Sequence, residues 1–318
     1  MRGLLLSLCM LLQSLLAAYG QSASENTEVG YTHALEAMLF RGFILMHDQK
    51  IGHLIRSNPQ GIKLNYIKRT YGRKYWEARY QYPDLGISLS YQDYRNPQLG
   101  HSVALVPYIN FHPWRGARSS LQWAMGTGIA YHTNPHHPQE NNTNVALGSA
   151  WSSALYLGGK YELNITPRFS ASLFFHLDHY SNGGFKKPNS GINLVQGGVS
   201  AIYELGDEAR TFRQWEEKSL QNRKPYLSIL PSVSFKELGR GGGVIEPSYN
   251  LSISLNKPLS ELSVISLGLD GHYDLAMKRW IAEEEPELEV DFKSVALSMG
   301  HELMVDRFFR TITEACRK

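Results

Sequence analysis

His179 and Ser181 stand two residues apart in the stretch "HLDHYSNGGFKKPNSGIN", residues 176–193. A serine hydroxyl is a weak nucleophile until a neighbouring base takes its proton, and a third polar group must hold that base in one orientation. Histidine is a suitable base, and Asn193 ends the same stretch. Between them lie Asn182, Gly183, Gly184 and Asn189. The chemistry open to this set is ester hydrolysis through an acyl-enzyme. A histidine and a serine at the lip of a loop can equally be plain solvated residues, so the spacing alone does not decide.

The flanking residues add a direction. Side chains alternate across a strand with period two. Before the motif, Phe169, Ala171, Leu173, Phe175 and Leu177 share one wholly apolar face, and His179 and Ser181 continue it. Arg168, Ser170, Ser172, Phe174, His176, Asp178 and Tyr180 occupy the other, which is mainly polar. After the loop, Asn193, Val195, Gly197, Val199, Ala201, Tyr203 and Leu205 form a second mostly apolar row, headed by Asn193. If the two runs pair as neighbours, His179, Ser181 and Asn193 meet on the apolar face near one level. Polar groups on such a face are costly unless they satisfy one another. Asp178 falls on the opposite face and is a poor substitute for the third group.

The elements that must hold this face are strands. Residues 1–20, "MRGLLLSLCMLLQSLLAAYG", carry one arginine, an apolar run and a small-residue end, the pattern of a cleaved export signal. Removing them leaves Cys316 as the single cysteine, so no internal disulfide is expected. A formal net charge of +3 over 318 residues is too small for a nucleic-acid binder. No later run is long and apolar enough for a membrane helix. An exported chain with 18 Tyr, 28 Gly and negative mean hydropathy fits an outer-membrane barrel, whose strands alternate apolar-out and polar-in. A secreted soluble β protein is the other all-β reading.

The expected architecture is therefore all-β. It is an antiparallel outer-membrane β-barrel of about twelve strands, with residues 21–318 as one domain. Strand-like runs lie near 38–55, 60–72, 75–95, 101–113, 118–132, 148–165, 168–181, 190–205, 224–238, 245–257, 260–274 and 291–308. Short turns are predicted at 113–117, Thr166-Pro167 and Lys257-Pro258, on the periplasmic side. Longer loops at 133–147, 182–189, 239–244 and 275–290 fall outside. Residues 206–224 read as a charged, helix-like segment that this count places in the periplasm. The last strand-like run is followed by the polar "RTITEACRK" rather than a terminal aromatic, which points to a barrel short of closing strands.

At "HYSNGG" and "KPNSGIN" the sequence resembles the PagL-like lipid A 3-O-deacylases, often labelled acyloxyacyl hydrolases. Their motif is His-x-Ser-Asn, then, after a short loop, Pro-Asn-x-Gly-x-Glu. The resemblance is clear over about 176–205. It implies an outer-membrane barrel that hydrolyses the ester-linked acyl chain at the 3-position of lipid A, with no cofactor and no metal. It implies Ser181 as nucleophile and His179 as base, with Asn182, Gly184 and Asn189 positioning the substrate and its oxyanion. The chain departs from the family at the acid, where Asn193 stands in place of Glu. An amide can orient an imidazole but cannot supply negative charge to an imidazolium.

Other clusters carry weaker chemistry. His132, His136 and His137 could ligate a metal, but no carboxylate or cysteine stands at a telling spacing, and a polar loop is the simpler reading. "EEEPELE" lacks the alternating ligands and turn glycine of a calcium loop. "RTYGRKYW" suits lipid phosphates or any membrane interface. "GRGGG" lacks a phosphate-loop ending. The alternative function is a non-catalytic outer-membrane barrel with a channel, binding or structural role.

Overall fold

A computed structural model describes residues 31–206, 211–216, 224–238, 242–260, 262–284, 286–287 and 291–304. The expected export signal and Cys316 lie outside the described residues. Twelve strands form, eleven of them within or close to the runs the sequence pattern marks; the first begins earlier than the expected 38–55, at Thr32, and ends at Ile44, with a 3-10 turn over Gln49–Leu54 in place of its second half. They do not make one barrel. β1 (Thr32–Ile44), β2 (Gln60–Arg69), β3 (Asp84–Asp93), β4 (His101–Arg115), β5 (Ser119–His132), β6 (Trp151–Asn164), β7 (Phe169–Ser181) and β8 (Ile192–Glu204) form a closed antiparallel barrel. β9 (Tyr226–Lys236), β10 (Glu246–Ser260), β11 (Ser263–Asp274) and β12 (Lys293–Leu303) form a second, four-stranded sheet.

The expected barrel of about twelve strands is thus corrected to eight plus a separate four. Closure comes from β8, which pairs with β7 on one side and with β1 on the other, from Ala34 opposite Glu204 to Ile44 opposite Leu194. Both of its edges are used, so β9 has nowhere to join. Three smaller readings change as well. The 75–95 run splits into a one-turn helix, α1 (Tyr75–Arg79), and β3, with Gln81 and Tyr82 in left-handed backbone between them. Lys257 and Pro258 lie inside β10, and the turn follows Ser260. The described part of the helix-like segment, 211–216, is not helical. It lies against α1 and its neighbours: Arg213 N–H donates to the Tyr71 carbonyl (2.8 Å) and the Trp215 indole to the Gly72 carbonyl (2.7 Å).

Period two decides the barrel's faces. Leu173 is 65% exposed, Phe175 56% and Leu39 61%, all pointing outward, while Lys63 on the inward face of β2 is 3% exposed. An eight-stranded barrel is only wide enough inside for side chains, and here those side chains are charged and mutually paired. Arg69 bonds to Asp84 (2.7 Å), Glu204 (2.9 Å) and Glu162 (3.2 Å); Lys160 reaches Glu36 (3.0 Å) and Lys63 reaches Asp178 (3.0 Å). Buried charges persist when paired and hydrogen-bonded. The interior near these charges is thus a packed, paired polar layer.

Above the charged layer sits an apolar one. Ile51 and Leu54, from a short 3-10 turn (Gln49–Leu54), pack with Tyr94, Leu99 and Leu147. Tyr180, Ile192 and Leu194 join the same cluster from β7 and β8. Every second residue of these strand ends is anchored in the core, so the residues between them are held rigidly on the outer face.

Candidate active site

His179 and Asn193 are direct partners across β7 and β8, and Ser181 lies one step beyond His179 on the same face. The neighbours Tyr180, Ile192 and Leu194 are fully buried, whereas His179, Ser181 and Asn193 are half-buried. His179 Nδ1 lies 2.6 Å from Asn193 Oδ1. An amide oxygen only accepts, so with that oxygen facing the ring Nδ1 carries the proton and Nε2 is left free to act as a base. Among the described residues no hydrogen bond links Ser181 to His179. Catalytic hydrogen bonds commonly tighten only when substrate binds.

The Ser181 hydroxyl instead accepts two bonds from the loop, from Asn189 Nδ2 (2.9 Å) and from Gly183 N–H (3.2 Å). The remaining polar groups of the loop hold its shape. Asn182 N–H donates to Asn189 Oδ1 (3.2 Å), and Gly184 N–H donates to Asn182 Oδ1 (3.0 Å). Asn182 Nδ2 donates to the Lys186 carbonyl (2.8 Å) and to Ser149 Oγ (3.0 Å). The six residues singled out in the sequence thus converge, but with divided tasks. Asn189 is aimed at the serine, whereas Asn182 and Gly184 are tied into the turn. Gly183, rather than Gly184, offers its N–H to the serine oxygen. Asp178 lies inside the barrel on Lys63, as the alternation requires.

Open space lies above the loop, since a Cβ added at Gly183 or Gly184 would meet nothing within 4 Å. Below it the opposite holds. Ser190 and Gly191 N–H donate to the carbonyls of Val145 and Ala146 (both 3.0 Å), His47 Nε2 contacts the Ser190 carbonyl (2.8 Å), and Ser190 Oγ donates to Asp48 (3.0 Å). Asp48 also accepts from Lys50 N–H, and these two bonds hold its carboxyl below the usual carboxylate range.

Gly191 has φ +74°, and a Cβ there would stand 3.2 Å from His179 Cε1 and 3.1 Å from the Tyr180 carbonyl. Left-handed backbone costs an L-residue roughly 1–2 kcal/mol. If His179 acts as a base, misplacing it by about 1 Å would cost on the order of a hundredfold in rate. Gly191→Ala is expected to lower activity at least about tenfold while the barrel still folds. Ester hydrolysis assayed beside heat-modifiable gel mobility checks this. Full activity would mean that the ring does not depend on this close approach.

A tie from the second sheet was not legible in the sequence. Glu237, just beyond β9, is 2% exposed. Its carboxylate accepts from Lys187 N–H (2.6 Å) and from Gly243 N–H, while its own N–H donates to the Gly184 carbonyl (3.0 Å). Nothing in strand periodicity marks a residue so distant in sequence. By contrast, His132, His136 and His137 do not form a metal site, and His132 belongs to the end of β5. His132 is buried between Ser102 Oγ (2.6 Å) and Ser152 Oγ (2.7 Å), and among the described residues no cluster could hold a metal ion.

Residues 60–201, which include the whole of "HYSNGGFKKPNSGIN", match the family model described as lipid A 3-O-deacylase (PagL). This stretch is similar to the PagL family over its length. It covers seven of the eight barrel strands in full or nearly so, omitting β1. Among solved structures the chain is similar to the outer membrane enzyme PagL, at 18% identity over 54% of this chain and 98% of that one, with a TM-score of 0.33. It is also similar to Neisserial surface protein A, at 10% identity over 55% and 94% (TM-score 0.32). The N-terminal β-barrel domain of Pseudomonas aeruginosa OprF is similar too, at 14% identity over 55% and 100% (TM-score 0.32). No curated protein sequence matches the chain. β9 to β12 lie beyond the stretch that matches the PagL family.

Proposed function

We propose that this chain is an outer-membrane esterase that removes the ester-linked acyl chain at the 3-position of lipid A, with Ser181 as nucleophile and His179 as general base. The observation that carries the reading is the His179–Asn193 hydrogen bond beside Ser181 on the barrel's outer face, within the stretch that matches the PagL family. Membrane placement is supported by the outward belt of Leu39, Leu64, Leu89, Leu105, Leu173 and Val199, each more than two-fifths exposed. A soluble surface does not present so continuous an apolar band. The loop end of the barrel then faces outward, where lipid A lies.

On this reading the acyl chain lies along the outer face, beside Leu155, which is paired with His179 across β6 and β7. The Ser181 oxygen attacks the acyl carbonyl as its proton passes to His179 Nε2. The negative oxygen that forms is held by Gly183 N–H and Asn189 Nδ2, which turn to it from the serine oxygen. The carbon–oxygen bond to the sugar breaks, and the departing oxygen takes the proton from His179. Water then repeats the sequence, freeing the fatty acid and restoring the serine. Asn193 holds the ring and fixes its tautomer throughout. No step calls for a metal or cofactor.

Expression in a host that makes lipid A tests the proposal. Mass spectrometry of the extracted lipid should reveal a species lighter by one hydroxyacyl chain, lost from the 3-position. Unchanged lipid A from cells holding the folded barrel would overturn it.

A further inference from the structure

The second sheet is built like half of a barrel. Along β9 to β12 the odd-numbered positions, such as Leu227, Leu251, Ile253, Leu267, Leu297 and Met299, form one apolar face that is widely exposed. The even-numbered positions are mainly Ser, Asn and Gly. Ser232 stands opposite Asn250, Asn250 opposite His272, and His272 opposite Ser294. In the two central strands this face is more sheltered than the apolar one, with Asn256 and Val264 nearly inaccessible and Asn250, Ser252 and Ser254 half-buried, consistent with a sheet whose polar face turns inward. Short polar contacts lie on that face, between Ser252 and Asp270, His272 and Asn250, and Lys236 and Asp274. A ten-residue helix, α2 (Leu275–Glu284), joins β11 to β12 at the loop end, and its Met277 lines the polar hollow.

Two edges are left over. Among the described residues neither β9 nor β12 has a second partner strand, and both are exposed on both faces. The sheet runs beside the barrel end to end. Glu237 bonds the 182–189 loop at one end, and at the other Tyr80 Oη contacts the carbonyls of Leu262 (3.4 Å) and Met304 (3.3 Å). An apolar face of this kind belongs in lipid, where unpaired backbone edges cannot persist. The first barrel offers no relief, because it is already closed.

The geometry points to a second copy of this chain as the occupant of both edges. β9 and β12 run antiparallel to each other. A two-fold axis along the membrane normal therefore sets β12 of one copy antiparallel to β9 of the other, at two seams. The outcome is a closed meander of eight strands, the same number as the barrel already present in each chain, with lipid-facing and inward faces continuous. The small inward side chains leave room for the facing half. An isologous interface asks the sheet to complement only itself, which its own polar face and opposed edges do. Pro231 lies in β9 without an N–H, and Pro107 in β4 of the closed barrel is flanked by strands on both sides, so one such residue does not prevent pairing. The proposal shares the membrane placement of the barrel but not the esterase reading.

Cysteine pairs test it in full-length protein carrying Cys316→Ser. The inward face stays continuous only if Ser232 meets an even-numbered residue of the other copy's β12, and Ser298 and Gly300 are the two central choices. Ser232→Cys with Ser298→Cys, or Ser232→Cys with Gly300→Cys, should give a reducible dimer on oxidation in outer membranes. Differently tagged chains bearing one cysteine each should cross-link only when β9 and β12 positions are combined. Light scattering in mild detergent should give two chains per particle. A monomer in detergent with no dimer from either pair, in protein whose first barrel is folded by heat-modifiable mobility, would overturn the proposal. So would cross-linking solely to a protein of another mass. Lipid A hydrolysis by a chain that stays monomeric would separate this failure from that of the esterase reading.

Discussion

Ser181→Ala should lower lipid A deacylation by roughly four decades or more, the scale on which serine hydrolases lose rate when the nucleophile is removed. The residual rate would reflect substrate binding and the loop donors alone. The barrel should survive, because the Ser181 backbone still faces Ser153 across β6 and the Ser153 hydroxyl still donates to its carbonyl (2.6 Å). The loop should loosen modestly. Gly183 N–H and Asn189 Nδ2 both lose an acceptor, a change worth on the order of 1 kcal/mol. Purified protein in detergent, assayed by released fatty acid, gives the measurement. A variant that kept a tenth of the wild-type rate would show that another group attacks the ester.

Asn193→Asp is the second large effect, in the opposite direction. The amide at 193 fixes the imidazole tautomer through a 2.6 Å bond but contributes no charge to the imidazolium that forms as the serine proton leaves. In a serine triad the change from carboxylate to amide costs about four decades in rate. Here the replaced side chain has the same shape and the partner is already in place. A half-buried carboxylate on an apolar face is costly to desolvate, and pairing with His179 offsets that cost. Asn193→Asp should raise the turnover rate by one decade or more with little change in KM. Unchanged or lower turnover in a folded variant would mean that the amide itself is what this site requires.

Much of this arrangement could be read from residue order. The alternation of Phe169, Leu173 and Phe175 with Ser170, Ser172 and His176 predicted which way β7 faces, and through it the shared face of His179 and Ser181. That inference succeeds because period two is a property of a single strand. Closure is not. Nothing local to β8 says that its free edge meets β1 rather than β9, so twelve strands were expected in one barrel where eight close and four stand apart. The same limit applies within the loop. The family resemblance points to Asn182, Gly183, Gly184 and Asn189 as a donor-rich turn. Which N–H faces Ser181 depends on how the turn folds back, through Asn182 Oδ1 onto Gly184 and Asn189 Oδ1 onto Asn182. Glu237 lay outside any local pattern, since it reaches the loop only because β9 rises beside it.

The central claim is that Ser181, activated by His179, is the nucleophile of a lipid A esterase. The most direct measurement is covalent labelling of the purified, folded protein with a long-chain alkyl phosphonate ester that mimics the acyl group, followed by peptide mass mapping. The expected result is a single adduct on Ser181, absent from the His179→Ala variant and suppressed by added lipid A. An unlabelled Ser181, or an adduct on another residue, in protein that still cleaves lipid A would contradict the account.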